Sequence, residues 1–305
     1  MTSFVKKLYL GLTLLVITAS GEAYGQQSPL PEQNTPCCQQ TCWGNLSISG
    51  EFLYWRAFQS GLDICVPRRV SDRITPSGHV TSTFSGKGHD LDFRWDPGYR
   101  VGVRYGFACN EWDIAASWTH FHSHANGSGH RHWNINFDVV DVTTGYEPEL
   151  GFCFDIRPFI GLRGAQIDQK LHAGHRDGSH KHLKAEFQGI GPLLGLGFDW
   201  EIGCNFSLYA SASVAWLYGN FHVKSFERDR FVDAVNICKL RKHLDANIAG
   251  ADATIGIRWQ RCFCKNKQFY LQLGLEHHRY FNFNRIGCYG DLSFDGVNAG
   301  LGLGF

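Results

Sequence analysis

Past its first two dozen residues the chain has no apolar run of the roughly 20 residues that a membrane-crossing helix needs, which excludes a helical membrane protein. It also lacks charge of one sign. The formal net charge is +1, which gives no argument for a nucleic-acid partner or for attraction to acidic lipid. No GxSxG, HExxH or phosphate-loop pattern occurs, so no enzyme class is indicated and no cofactor is expected. Cys262-Phe263-Cys264 is a CxC spacing with no second close pair after it, a poor basis for a zinc site. Methionine occurs once, whereas there are 35 glycines, 23 phenylalanines, 11 tyrosines and 9 tryptophans. That composition points to one kind of domain.

The amino end has the make-up of a secretory signal. Lys6 and Lys7 precede a short apolar run, Leu8 to Thr18, and small residues follow up to Gly25. Residues 1–25 are therefore expected to be removed during Sec-type export. Residues 26–45 hold Pro29, Pro31, Pro36, Cys37, Cys38 and Cys42 and read as an irregular lead-in without a core of its own. From residue 46 to 305 the sequence is a series of segments that alternate apolar and polar residues, the period of a strand. In the clearest, Tyr99, Val101, Val103, Tyr105 and Phe107 alternate with Arg100, Gly102, Arg104 and Gly106. A strand puts both arginines on one side, and a helix would spread them around its axis.

Ten such segments are found: about 46–54, 99–107, 112–119, 133–142, 153–171, 190–200, 206–219, a run ending at 259, 269–276 and 297–305. They are longer than the usual strand of about 5–6 residues in a soluble sandwich, and nearer the roughly 9–11 that a tilted strand needs to cross a bilayer. Aromatics gather near segment ends at Trp112, Trp118, Trp200, Trp216 and Trp259, as an interfacial girdle requires. A mean hydropathy of −0.23 fits strands that are apolar on one face only. The expected fold is all-β: one antiparallel, up-and-down transmembrane barrel of about ten strands with both termini periplasmic. Outer loops are expected near 67–88, 122–132, 172–183, 224–243 and 284–291, and a hairpin hidden in the first of them would make twelve strands.

Gly50-Glu51-Phe52-Leu53-Tyr54-Trp55-Arg56-Ala57, Gly61-Leu62-Asp63, Trp95-Asp96-Pro97-Gly98-Tyr99-Arg100-Val101-Gly102 and Arg157-Pro158-Phe159-Ile160-Gly161-Leu162-Arg163-Gly164 carry a family resemblance. With them the chain resembles the cysteine-rich, porin-like major outer-membrane proteins of chlamydia-like and legionella-type bacteria over nearly its whole mature length. The resemblance implies residence in the outer membrane, contact with its lipid, and passive diffusion of small hydrophilic solutes. It also implies an envelope braced by disulfides, and a terminal Phe305 that resembles the aromatic end read by the barrel-assembly machinery. The alternative is a non-conducting surface binding protein or adhesin that works through its outer loops.

Three constellations are candidates for function. Eleven cysteines in an exported chain imply disulfides, and the odd number leaves one to be free or joined to another molecule. Cys37, Cys38, Cys42, Cys109, Cys153, Cys204, Cys262 and Cys264 fall toward the periplasmic rim, and Cys65, Cys238 and Cys288 toward the outside. Their partners are expected to be each other, a second copy, or other cysteine-rich envelope proteins. Histidines crowd two outer loops: His120, His122, His124, His130 and His132, then His172, His175, His180 and His182. Polar surface loops, a metal site and a pH response all remain open for them. Glu51, Arg100, Arg104, Asp113, Arg157, Arg163, Asp199, Arg258 and Glu276 are expected to face the lumen, either as a selectivity lining or as a salt-bridged plug.

Overall fold

In the computed structural model, residues 45–61, 69–74, 80–85, 91–107, 111–127, 131–148, 154–174, 180–231, 234–263, 267–284 and 290–305 are described. The readings of residues 1–44, signal and lead-in, lie outside them.

Among the described residues thirteen strands form, in order β1 (Asn45–Gln59), β2 (Arg69–Ile74), β3 (Val80–Ser85), β4 (Asp92–Phe93), β5 (Trp95–Gly106), β6 (Trp112–Gly127), β7 (Arg131–Tyr146), β8 (Phe154–Gly174), β9 (His180–Gly203), β10 (Phe206–Phe231), β11 (Ala234–Phe263), β12 (Lys267–Tyr280) and β13 (Leu292–Gly304). Ten of them, β1 and β5 to β13, pair with their neighbours all the way round: β6–β5–β1–β13–β12–β11–β10–β9–β8–β7, with β7 returning to β6. The first and last barrel strands close the seam. Leu46 and Phe305 donate backbone N–H groups to each other's carbonyls at 3.3 and 2.8 Å. The hairpin in the first outer connection exists, but β2 and β3 pair only with each other and the barrel keeps ten strands.

Closure leaves no open edge between barrel strands, so the ladders can be satisfied in lipid. The outward face carries the apolar residues of the alternating segments. Ile190 and Leu275 are each 61 % exposed and Leu273 63 %, in a continuous band that includes Val101, Ile160, Leu194, Val214 and Ile257. A band of that size has no place on a soluble monomer. Tyr54 and Trp95 stack at its upper edge with ring centroids 5.5 Å apart. At the lower edge the β9–β10 connection is a two-residue turn, Cys204 and Asn205, with φ of 55° and 67°. Positive φ at both central residues matches the twist of a tight hairpin.

The ends of the strands differ from the sequence expectation. Residues 122–127, 131–132, 172–174, 180–183, 224–231 and 234–243 are strand, not loop. The β10–β11 ladder runs from Phe206↔Trp259 to Phe231↔Ala234. At about 3.4 Å per residue, this hairpin rises well past a hydrocarbon layer about 30 Å thick. The reason lies in the side chains. Within the lipid band the apolar residues point outward; beyond it they change parity and point inward. On β6, Ile114 and Trp118 face out, and Phe121 and Ala125 face in. On β8, Ile160 and Leu162 give way to Ala165, Ile167 and Leu171, and on β10, Val214 and Trp216 give way to Phe221 and Val223. Water replaces lipid outside, and the apolar side of each strand turns with it.

Candidate functional site

The inward residues of the upper barrel meet across the lumen. Trp55 on β1 packs against Phe121 on β6 (ring centroids 5.4 Å), Phe294 on β13 (5.9 Å) and Phe137 on β7 (6.3 Å). Phe137 and Phe294 lie 4.7 Å apart although β7 and β13 do not pair, so this contact spans the interior. Tyr280 and Phe283 carry the rings on to Phe187 and Phe221 on β9 and β10. Each of these eight aromatic side chains is at most 2 % exposed. Above them Gln59 on β1 and Gln169 on β8 exchange amide hydrogen bonds of 3.2 and 2.8 Å, both side chains buried.

Directly beneath lies a layer of charge. Arg100 binds Glu51 at 2.7 Å and Glu276 at 2.8 Å. Glu276 also accepts from Asn298 at 2.7 Å and lies 3.3 Å from His278. His278 in turn pairs with Asp252 at 2.7 Å. Asp252 meets Arg163 at 2.5 Å, and Arg163 grips Asp141 through two bonds of 2.7 and 2.8 Å. This chain of contacts ties β5, β1, β13, β12, β11, β8 and β7 together across the lumen. A second group joins Arg157 to Asp113 at 2.7 Å and Arg104 to Asp113 at 2.9 Å, with Glu147 also on Arg104. Arg258 pairs with Asp199.

Chambers with mixed polar and apolar lining remain among the described residues. One of about 230 Å³ is bounded by Trp55, Arg100, Arg163, Asp252, His278 and Tyr280. The other, about 270 Å³, lies among Glu51, Arg104, Glu147, Asp155, Tyr209 and Arg258. They suit water and small polar solutes. Sequence reasoning missed Asp141, Asp252 and Glu147, which tip the interior balance from arginine to acid, and His278, which bridges Asp252 and Glu276. It missed the aromatic layer altogether. The parity change was the available signal, because it sits inside segments such as 133–142, where Ile135, Phe137 and Val139 face in but Val140 and Val142 face out.

The other candidates are dispersed. His120 pairs with Asp138 at 2.8 Å, His122 with Asn136, His132 with Asn126 at 2.8 Å, and His172 with His182 at 2.6 Å. His124 stands 3.6 Å from Asp96. His130, His175 and the side chain of His180 lie outside the described residues. Among the described residues no three histidine, cysteine or acidic side chains surround one point as metal ligands. Cys204 is exposed in the lower β9–β10 turn and Cys262 is the penultimate residue of β11. Cys37, Cys38, Cys42, Cys65, Cys109, Cys153, Cys264, Cys288 and the side chain of Cys238 are not among those described. Phe305 is exposed at the seam.

Solved structures of similar arrangement include a major outer membrane protein from Thermus thermophilus, at 11 % identity over 86 % of this chain and 99 % of that one, with a TM-score of 0.41. The outer membrane protease OmpT from Escherichia coli matches at 10 % identity over 86 % and 96 %, with a TM-score of 0.42. OprG from Pseudomonas aeruginosa matches at 12 % over 85 % and 96 %, with 0.34. Comparison with curated proteins gives no match. The family model of the Legionella pneumophila major outer membrane protein precursor matches residues 34–299. This chain therefore belongs to that family and is a bacterial outer-membrane β-barrel.

Proposed function

We propose that this barrel is closed to solutes at rest and works chiefly through the strands it raises above the membrane, as a surface binding and envelope protein. The aromatic layer carries this reading. Eight rings, each at no more than 2 % exposure, pack together in the upper lumen and support closure there. The charge layer below adds a second barrier, since its ions are already paired with one another. A barrel of ten strands is close to the eight-strand size at which side chains fill the interior.

The porin reading rests on the family and on the two chambers. On that reading, small hydrophilic solutes pass only when the rings part. The envelope role rests on the cysteines: Cys204, exposed on a periplasmic turn, is placed for a link to a neighbouring protein or a second copy. Assembly through the barrel machinery is assigned to the Phe305 end. No catalytic role is assigned. Planar-bilayer recording tests the central point. A closed barrel gives no step-like conductance, and stable open steps from the unmodified protein would restore the porin reading.

A further inference from the structure

We propose that His172 and His182 form a two-imidazole binding site for a late divalent transition metal, Cu²⁺ above all, on the outer extension of the barrel. The site is built by register. His132 on β7 pairs with His172 on β8, and His172 pairs with His182 on β9, so three histidines stand in one cross-strand row. The row shares the outward parity of Ile160 and Leu162, ten residues further along β8 than the last of these lipid-facing side chains. Directly opposed residues of an antiparallel pair bring their side chains within about 5 Å.

His172 and His182 use that closeness in a particular way. Their Nδ1 atoms are 2.6 Å apart and the ring centroids 4.4 Å, with the planes nearly perpendicular. Two ring nitrogens aimed at each other share one proton between two lone pairs. A metal ion in its place would bond each nitrogen at about 2.0–2.1 Å, and a slight opening of the pair admits it.

The surroundings choose the metal. The next row toward the membrane holds Lys170 and Lys184 rather than carboxylates, so the hard oxygen-seeking ions Ca²⁺ and Mg²⁺ have no ligands here. Lys184 is itself paired with Glu186, and the selection rests on the two imidazoles, whose strongest partner in the divalent series is Cu²⁺. With two protein ligands, water completes the shell. His132, now turned to Asn126 at 2.8 Å, stands beside the pair in the row. His222 and His243, opposed on β10 and β11 with centroids 4.4 Å apart, repeat the motif nearer the membrane and serve as an internal comparison.

The inference rests on the surface-binding reading only in that the site lies outside the lipid, and its test does not depend on conductance. The refolded full chain is titrated with Cu²⁺ by calorimetry, and the bound ion is examined by electron paramagnetic resonance. The wild-type protein is expected to show a tight site with two nitrogen ligands. His172→Asn and His182→Asn are each expected to weaken that site at least about ten-fold, the lower end of the loss seen for outer-shell partners. His222→Asn with His243→Asn should leave it in place. Heat-dependent gel mobility checks that every variant is folded. No tight site in the wild type, or the same affinity and spectrum in a folded His172→Asn/His182→Asn variant, would overturn the assignment.

Discussion

Arg163 offers the sharpest test of the interior charge layer. Its side chain is 7 % exposed and makes two bonds to Asp141 and one to Asp252. Replacement by methionine keeps much of the volume and removes the charge. The two carboxylates then fare differently. Asp252 retains His278 at 2.7 Å and Ser213 at 3.1 Å, whereas Asp141 loses both of its strong bonds. Removing one partner of a buried ion pair costs about 3–5 kcal/mol. Asp141 borders the 230 Å³ chamber, and water there places the expected loss toward the lower figure. Adding Asp141→Asn removes the stranded charge, so the double variant should lose only about 1–3 kcal/mol, the cost of unmade hydrogen bonds. Urea unfolding of the refolded barrel, followed by tryptophan fluorescence and by gel mobility, measures both. An Arg163→Met variant within about 1 kcal/mol of wild type would refute a desolvated, structurally coupled network. So would a double variant no more stable than the single one.

Other substitutions probe the other layers. Phe294→Ala, which empties the middle of the aromatic layer, should cost about 3–5 kcal/mol in the same urea assay. The hydroxyl of Ser123 is fully buried and has no hydrogen-bond partner among the described residues, so Ser123→Ala should raise stability by about 1 kcal/mol. Leu273→Arg places a charge on the lipid face and should cost about 2–4 kcal/mol. Gln188→Arg, on the same outward parity but above the belt, should unfold at the wild-type denaturant concentration. Equal effects from these two would contradict the level assigned to the membrane surface.

Much of the barrel was legible because lipid imposes a simple rule on each strand. Tyr99 to Phe107 or Val297 to Phe305 put one apolar face to the bilayer, and a period of two shows it directly. The ten barrel strands, the family and the outer-membrane location all follow from that rule and from the quoted motifs. The upper barrel was not legible by the same reading, since its strands obey the opposite rule. Residues such as His122, His124, Lys170 and Lys224 look like loop when judged by polarity. They are instead the wet faces of strands whose dry faces are Phe121, Ala125, Leu171 and Val223. The charge network was half visible. Strand parity gave Arg100, Arg163 and Glu276, but Asp141 sits where the apolar parity changes between Val139 and Val142 and Asp252 in a weakly apolar stretch, and their partners are fixed only by barrel closure. Pairings such as His172 with His182 need the register, which no local pattern supplies.

The central claim is that packed rings, not water, fill the upper lumen. Single-channel recording of the unmodified, refolded protein in planar bilayers tests it most directly, with a Trp55→Ala/Phe137→Ala/Phe294→Ala variant alongside. The account predicts a silent wild-type barrel and measurable conductance once those three rings are gone. Frequent, stable open steps from the wild type, unchanged in the variant, would contradict it.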